Sequence, residues 1–250
     1  MVTVSIDKQL VAERFRNNFA TYESEAVVQR HMVNRLFGLL ENESVKPQRI
    51  LEIGCGTGFL TKKLKALPFH MYWLNDLVFE AVNNCLSLVD SAFPLVGDIE
   101  QKALPEQLDL VASSATFQWI ANFPAFAKRL HRHMAVEGVL AFSTFGPANM
   151  QEIRALTGAG LDYPCLHELT DMLSPYFEIS QAEQEQQVLV FENPIEVLKH
   201  LRQTGVTGLS RQHWGKEQLR HFCESYQDRF SIAGGVKLTY EPIYIVAKKI

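Results

Sequence analysis

Ile50-Leu51-Glu52-Ile53-Gly54-Cys55-Gly56-Thr57-Gly58 is the stretch that decides the fold. A short, mostly apolar run reads as a strand, and the segment Leu60–Leu67 after it reads as a helix. Glycines at alternating positions between them allow turns, and a close backbone approach to a ligand, that side chains would block. The N-terminus of the following helix offers unpaired N–H groups. The pattern is not the dinucleotide fingerprint G-x-G-x-x-G, because position 59 carries Phe59. Gly58 as third glycine, with Glu52 before the loop, suits a ligand without a pyrophosphate, whose cationic group Glu52 would meet. The plainer alternative is a glycine-rich turn with no ligand.

Outward from this loop, apolar runs alternate with helical stretches. The runs are Met71–Leu74, Pro94–Val96, Leu108–Ala112 and Val139–Phe142, and helices are expected over Leu77–Val89 and Phe123–Met134. Such alternation predicts an α/β fold, a mostly parallel sheet with helices on both faces. The uncharged run Leu110–Ala127 is too polar for a membrane span and reads as a buried strand, a loop and a helix start. Before the core, Leu10, Val11, Phe15 and Phe19 mark one helix. Tyr22 and Ser24 mark a break, with Ser24 as cap of a second helix carrying Val28, Met32 and Leu36. After it, Phe177–Ile179 and Val188–Phe191 read as a strand pair or a bulged strand, residues 194–230 as a helical insertion, and Lys237–Lys249 as a single closing strand. The expectation is one domain over 1–250: an N-terminal helical cap (1–45), a core (46–192), an insertion (193–233) and a closing strand (234–250).

The 250 residues carry a formal charge of -4, which argues against a general nucleic-acid binder. Four cysteines without a C-x-x-C pair (Cys55, Cys85, Cys165, Cys223) fit neither a zinc ribbon nor a disulfide framework, so no metal is expected and a reducing cytoplasm is. Met1–Asp7 lacks the pattern of a signal peptide. His131 and His133, two apart on a helix, do not face each other as metal ligands.

E-x-G-x-G-x-G after the first strand resembles motif I of the Rossmann-like S-adenosylmethionine-dependent methyltransferases, which implies a seven-stranded sheet. The resemblance implies a ribose-binding acidic residue at the end of the next strand, matched by Asp76, and an acidic residue near the adenine amine, matched by Asp98 with Ile99 against the ring. A carboxylate accepts two hydroxyl donors at once. Asp76 is equally read as the cap of the helix after it. Phe15–Tyr22, Gln29-Arg30, Phe117-Gln118-Trp119, Phe142–Phe145, Leu198–Val206 and Leu238–Tyr244 are together similar to the malonyl-acyl-carrier-protein O-methyltransferases of biotin synthesis.

This narrower resemblance implies transfer of a methyl group from S-adenosyl-L-methionine to the free carboxylate of malonyl-acyl-carrier protein or malonyl-coenzyme A. The product cofactor is S-adenosyl-L-homocysteine, and a monomer is expected. The acceptor is already ionised at neutral pH, so no strong base is needed and positioning carries the catalysis. The implied catalytic residues are Tyr22, Gln118, Trp119 and Thr144, with Ser143 a further candidate. The implied cofactor residues are Gln29, Glu52, Gly54, Cys55, Gly56, Gly58, Asp76, Leu77, Asp98, Ile99 and Ser114. Arg16, Arg154 and Arg202 are all candidates for the acceptor carboxylate. Acyl-carrier proteins are acidic, so docking would use Lys128–Arg132 or the insertion's Lys199, Arg202, Arg211, Lys216 and Arg220, preferably the insertion. Alternatives are a small-molecule methyltransferase acting on a free acid or quinol, and a non-catalytic binding protein.

Overall fold

The computed structural model describes residues 7–204 and 214–250. Helices α1 (Lys8–Glu25) and α2 (Val27–Asn42) precede β1 (Arg49–Ile53), α3 (Thr61–Leu64), β2 (Met71–Asp76), α4 (Phe79–Leu86), β3 (Phe93–Val96) and β4 (Leu108–Ser114). A short 3-10 turn, Phe117–Trp119, leads to α5 (Phe123–His133), β5 (Met134–Phe145), α6 (Gln151–Thr157), α7 (Leu166–Leu173), β6 (Phe177–Gln184) and β7 (Gln187–Phe191). The chain ends with α8 (Pro194–Gln203), α9 (Lys216–Phe230), β8 (Ser231–Ile232), β9 (Gly235–Tyr240) and β10 (Pro242–Lys249).

Seven strands form the main sheet in the order β3-β2-β1-β4-β5-β10-β6, with β10 antiparallel to both its neighbours. Alternation along each strand feeds two cores. Ile50, Tyr72, Leu110 and Ala141 pack with α2, α3 and α4 on one face. Leu51, Val111, Leu140 and Ile245 pack with α5 and α7 on the other. Both faces are covered, which is why the central strands read as nearly continuous apolar runs. The strand order reverses between β1 and β4, so the crevice for a ligand opens at the carboxyl end of β1.

Three local expectations are corrected. No break occurs at Tyr22: α1 runs on to Glu25, and the junction with α2 is Ala26, which makes no side-chain cap bond. The strand pair after 177 is divided, with β6 in the main sheet and β7 in a separate three-stranded sheet, β7-β9-β8. The single closing strand is two. Glu241 interrupts it, and its buried carboxylate accepts from Ala148 N at 2.6 Å and from Gln184 Nε2 at 2.9 Å. That anchor turns β9 into the small sheet and leaves only β10 to close the large one.

Candidate active site

A cavity lies over the carboxyl ends of β1 to β4, with α1 as its roof. Its floor is the glycine loop. Gly54 N and Cys55 N both donate to Asn75 O, so the end of β1 is tied to β2. A side chain at Gly54, where φ is +72°, would place its Cβ 2.0 Å from Thr116 Oγ1. Gly56 faces open space apart from Phe15 of the roof, and its N–H donates to Asp76 Oδ2 at 2.9 Å.

Asp76 ends β2 with only 9% of its surface exposed, and Oδ1 accepts from Val78 N at 2.9 Å. Burial pushes its carboxyl up, and the backbone donors at Val78 and Gly56 oppose that shift. The bond to Val78 satisfies part of the capping expectation, and lone pairs remain for ligand hydroxyls. Asp98, after β3, accepts Glu100 N at 3.1 Å and Lys8 Nζ at 2.7 Å on Oδ1. Gln29, Cys55, Leu77, Ile99 and Ser114 also line the cavity, Ser114 sharing a 2.8 Å hydroxyl bond with Ser143.

Two residues expected on the cofactor lie outside the cavity lining. Glu52 is fully buried beneath the loop, where Tyr72 donates to it at 2.5 Å and Thr61 at 3.0 Å. Burial raises its carboxyl to about 7 against those two donors. It braces the loop instead of meeting a ligand cation. Gly58 serves packing, since a Cβ there would come within 2.6 Å of Leu88 Cδ1.

Of the expected catalytic residues, Tyr22, Gln118 and Trp119 line the cavity. Tyr22 packs against Phe15 and Phe59 at ring separations of 5.1 and 6.2 Å. Burial, then the Asp76 carboxylate, holds its phenol above the usual range, so it stays a donor. Gln118 donates to Ala115 O at 2.7 Å. Thr144 is buried outside the cavity lining and donates to Gln118 Oε1 at 3.4 Å, so its contact with the cavity runs through that amide.

None of the three candidate arginines lines the cavity. Arg16 pairs with Glu80 at 3.2 Å, Arg154 is spent on the carbonyls of Pro147 and Leu161, and Arg202 is exposed on α8. Of the two docking stretches, Lys128–Arg132 is depleted because Arg129 donates to the carbonyls of Ile99, Glu100 and Lys102. In the insertion, Lys199 and Arg220 pair with Glu196 and Glu224 on their own helices, and Arg211 lies outside the described residues.

Sequence reading missed Thr57, Lys8 and Thr204, which also line the cavity. Thr57 lay in plain view between two loop glycines. Lys8 shares the helical stripe Lys8, Val11, Ala12, Phe15, of which Val11 and Phe15 served the sequence reading to mark the helix.

The site fits S-adenosylmethionine on its own geometry. The buried Thr57 hydroxyl has no partner among the described residues and lies in the loop that would hold the amino-acid end. Asp76 has acceptor capacity where ribose hydroxyls would lie, and Asp98 and Ile99 would offer a purine a polar and an apolar edge. Among the described residues no cluster of metal-binding side chains occurs, and no helix is long and apolar enough to cross a membrane.

A family model described as "Methyltransferase domain" matches residues 22–182. The Malonyl-[acyl-carrier protein] O-methyltransferase of Bacteroides thetaiotaomicron is 40% identical, covering 98% of this chain and 99% of its own. That of Chlorobium luteolum is 38% identical, covering 97% and 96%. Among solved structures, N-methyltransferase NodS from Bradyrhizobium japonicum in complex with S-adenosyl-L-homocysteine superposes with a TM-score of 0.56 at 14% identity, over 96% of this chain and 98% of that one. The YcgJ protein from Bacillus subtilis gives 0.62 at 12% identity, over 86% and 98%. These two establish the fold, a methyltransferase α/β sheet of seven strands, and the full-length relatives establish the rest: the chain belongs to the malonyl-[acyl-carrier protein] O-methyltransferase family.

Proposed function

We propose that this protein transfers a methyl group from S-adenosylmethionine to the free carboxylate of malonyl-acyl-carrier protein, giving the methyl ester that begins pimeloyl formation in biotin synthesis. The observation that carries this reading is the roof. The Lys8–Phe15 face of α1 and Thr204 at the end of α8 line the cavity, yet both fall outside the general methyltransferase match at 22–182. The 98% match to a malonyl-carrier enzyme runs beyond that domain at both ends.

S-adenosylmethionine, when bound, supplies an electrophilic methyl group on a sulfonium. The chain's own contribution is to hold, orient and dry the reactants. The glycine loop, Thr57, Asp76 and Asp98 hold the cofactor. Tyr22, Gln118 and Trp119 offer neutral donors to the acceptor. A carboxylate is ionised at pH 7, so no group in the cavity has to remove a proton. Neutral donors also leave its electron pairs more available than a bidentate guanidinium would. The aromatic lid of Phe15, Tyr22 and Phe59 excludes water, which strengthens every polar contact beneath it.

The enzyme works as a monomer in the cytoplasm, and the acidic carrier approaches where α8 meets the cavity, beside the exposed Arg202. The test is incubation with methyl-labelled S-adenosylmethionine and malonyl-carrier. A base-labile carrier ester is expected, with malonyl-coenzyme A a poorer acceptor. Cofactor binding without any ester on the carrier would overturn the reading.

A further inference from the structure

Lys8 is, among the described residues, the one lysine or arginine that lines the cavity. It sits in the first turn of the roof helix, and its ammonium reaches across to the opposite wall. There it donates to Asp98 Oδ1 at 2.7 Å and to Glu100. Both pairs are about four-fifths shielded from solvent. Glu100 in turn accepts from Ala121 N at 3.0 Å and Asn122 N at 3.3 Å, directly after the Gln118-Trp119 turn. One ammonium therefore ties the roof both to the carboxylate assigned to the adenine edge and to the segment carrying the acceptor-side donors.

We infer that Lys8 is a positioning residue: it closes α1 over the adenine end of the cavity and fixes the Asp98 carboxylate with Oδ1 occupied and Oδ2 left for the exocyclic amine of the ligand. Among the described residues the one competing contact on Oδ2 is Gln101 Nε2, at 3.5 Å. A carboxylate held at one oxygen presents the other in a fixed direction, and fixed acceptors discriminate a donor from an acceptor on the ligand far better than mobile ones. Lys8 thereby couples roof closure to recognition of an amino-purine. This rests on the cofactor part of the proposed function and on none of its acceptor part.

The experiment titrates S-adenosylhomocysteine and S-inosylhomocysteine, in which a carbonyl replaces the purine amine, into wild type, Lys8→Met and Lys8→Arg. Hydrogen exchange of the α1 amides is followed without ligand, and thermal midpoints confirm folding. Lys8→Met is expected to weaken the adenosyl ligand about tenfold, as for loss of one charge-assisted contact. It should weaken the inosyl ligand much less, so discrimination shrinks, while α1 exchange accelerates. Lys8→Arg should restore most of both. Equal losses for the two ligands, or unchanged or tighter adenosyl binding in Lys8→Met, would overturn the inference. So would a wild type that does not distinguish the ligands, because Asp98 would then not read the amine. Wild type that discriminates but makes no carrier ester leaves Lys8 in place and sinks the acceptor reading instead.

Discussion

Replacing Glu52 with Gln tests whether the carboxylate under the loop is a brace held partly protonated. The group is fully buried, and burial lifts it from 4.5 to about 7 despite hydrogen bonds from Tyr72 and Thr61. Below pH 4.5 both folded and unfolded chains carry the proton. Between 4.5 and 7 the unfolded chain releases it while the folded chain keeps it, so stability falls as pH rises, and above 7 the loss is complete. At about 1.4 kcal/mol for each pH unit between the two values, that loss is about 3 kcal/mol. Glutamine keeps an acceptor for Thr61 and presents an amide to the Tyr72 hydroxyl, which then accepts, and it does not ionise. Urea denaturation should show Glu52→Gln equal to or slightly below wild type at pH 5 and more stable by about 2 to 3 kcal/mol at pH 8, with the curves diverging between about pH 5 and 7 and running parallel above that. A variant less stable by the same amount at both pH values would refute this reasoning. It would mean that the two hydroxyl donors hold Glu52 ionised throughout.

Asp76→Ala removes the acceptor of Gly56 N and Val78 N as well as the ribose partner; calorimetry should show S-adenosylhomocysteine binding weakened by at least about 100-fold. Tyr22→Phe should lower kcat/KM for malonyl-carrier about 10- to 100-fold with little change in homocysteine-ligand affinity, as for loss of one donor to a charged acceptor. Because burial and then Asp76 raise the Tyr22 phenol, wild-type turnover should show no alkaline decline from this group at or below its usual value near about pH 10. Arg129→Met strips the brace from three carbonyls after Asp98 and should lower thermal stability by about 2 kcal/mol, read by calorimetric unfolding. Raising salt from 50 to 300 mM should increase the KM for malonyl-carrier several-fold and leave that for S-adenosylmethionine nearly unchanged, because exposed charges are screened over about 10 Å or less.

What could be read from the sequence was what neighbouring residues encode together. The glycine loop was read from the residues themselves and Asp76 and Asp98 from the resemblance that the loop opened, and Gly54, Gly56, Asp76 and Asp98 line one cavity. Glu52 went astray on depth: it stops short of the loop on β1, and Tyr72 and Thr61, 20 and 9 positions away, take up its carboxylate, whereas Asp76, on the same face as Tyr72, ends its strand and reaches the cavity. The split of the last strand was legible in the sequence, where the apolar positions move from even (Leu238, Tyr240) to odd (Ile243, Ile245) across Glu241 and Pro242. A period-two pattern that changes phase cannot bury one face of one strand, and it has to bend or change sheets.

The remaining errors have a different origin. Arg16, Arg154 and Arg202 were rated by charge alone, but what decides an arginine's role is what its guanidinium meets. Glu80, the carbonyls of Pro147 and Leu161, and solvent engage them before any substrate arrives. Lys8 was passed over for the converse reason. Its partners Asp98 and Glu100 stand 90 and 92 positions away, a distance no local pattern spans. Residues of one βα unit set the cofactor floor, whereas the roof and acceptor side are assembled from α1, the 117–122 segment and the end of α8. Specificity within a fold shared by many methyltransferases is therefore concentrated where contacts are longest in sequence, and there a single ammonium can couple the two halves of the site.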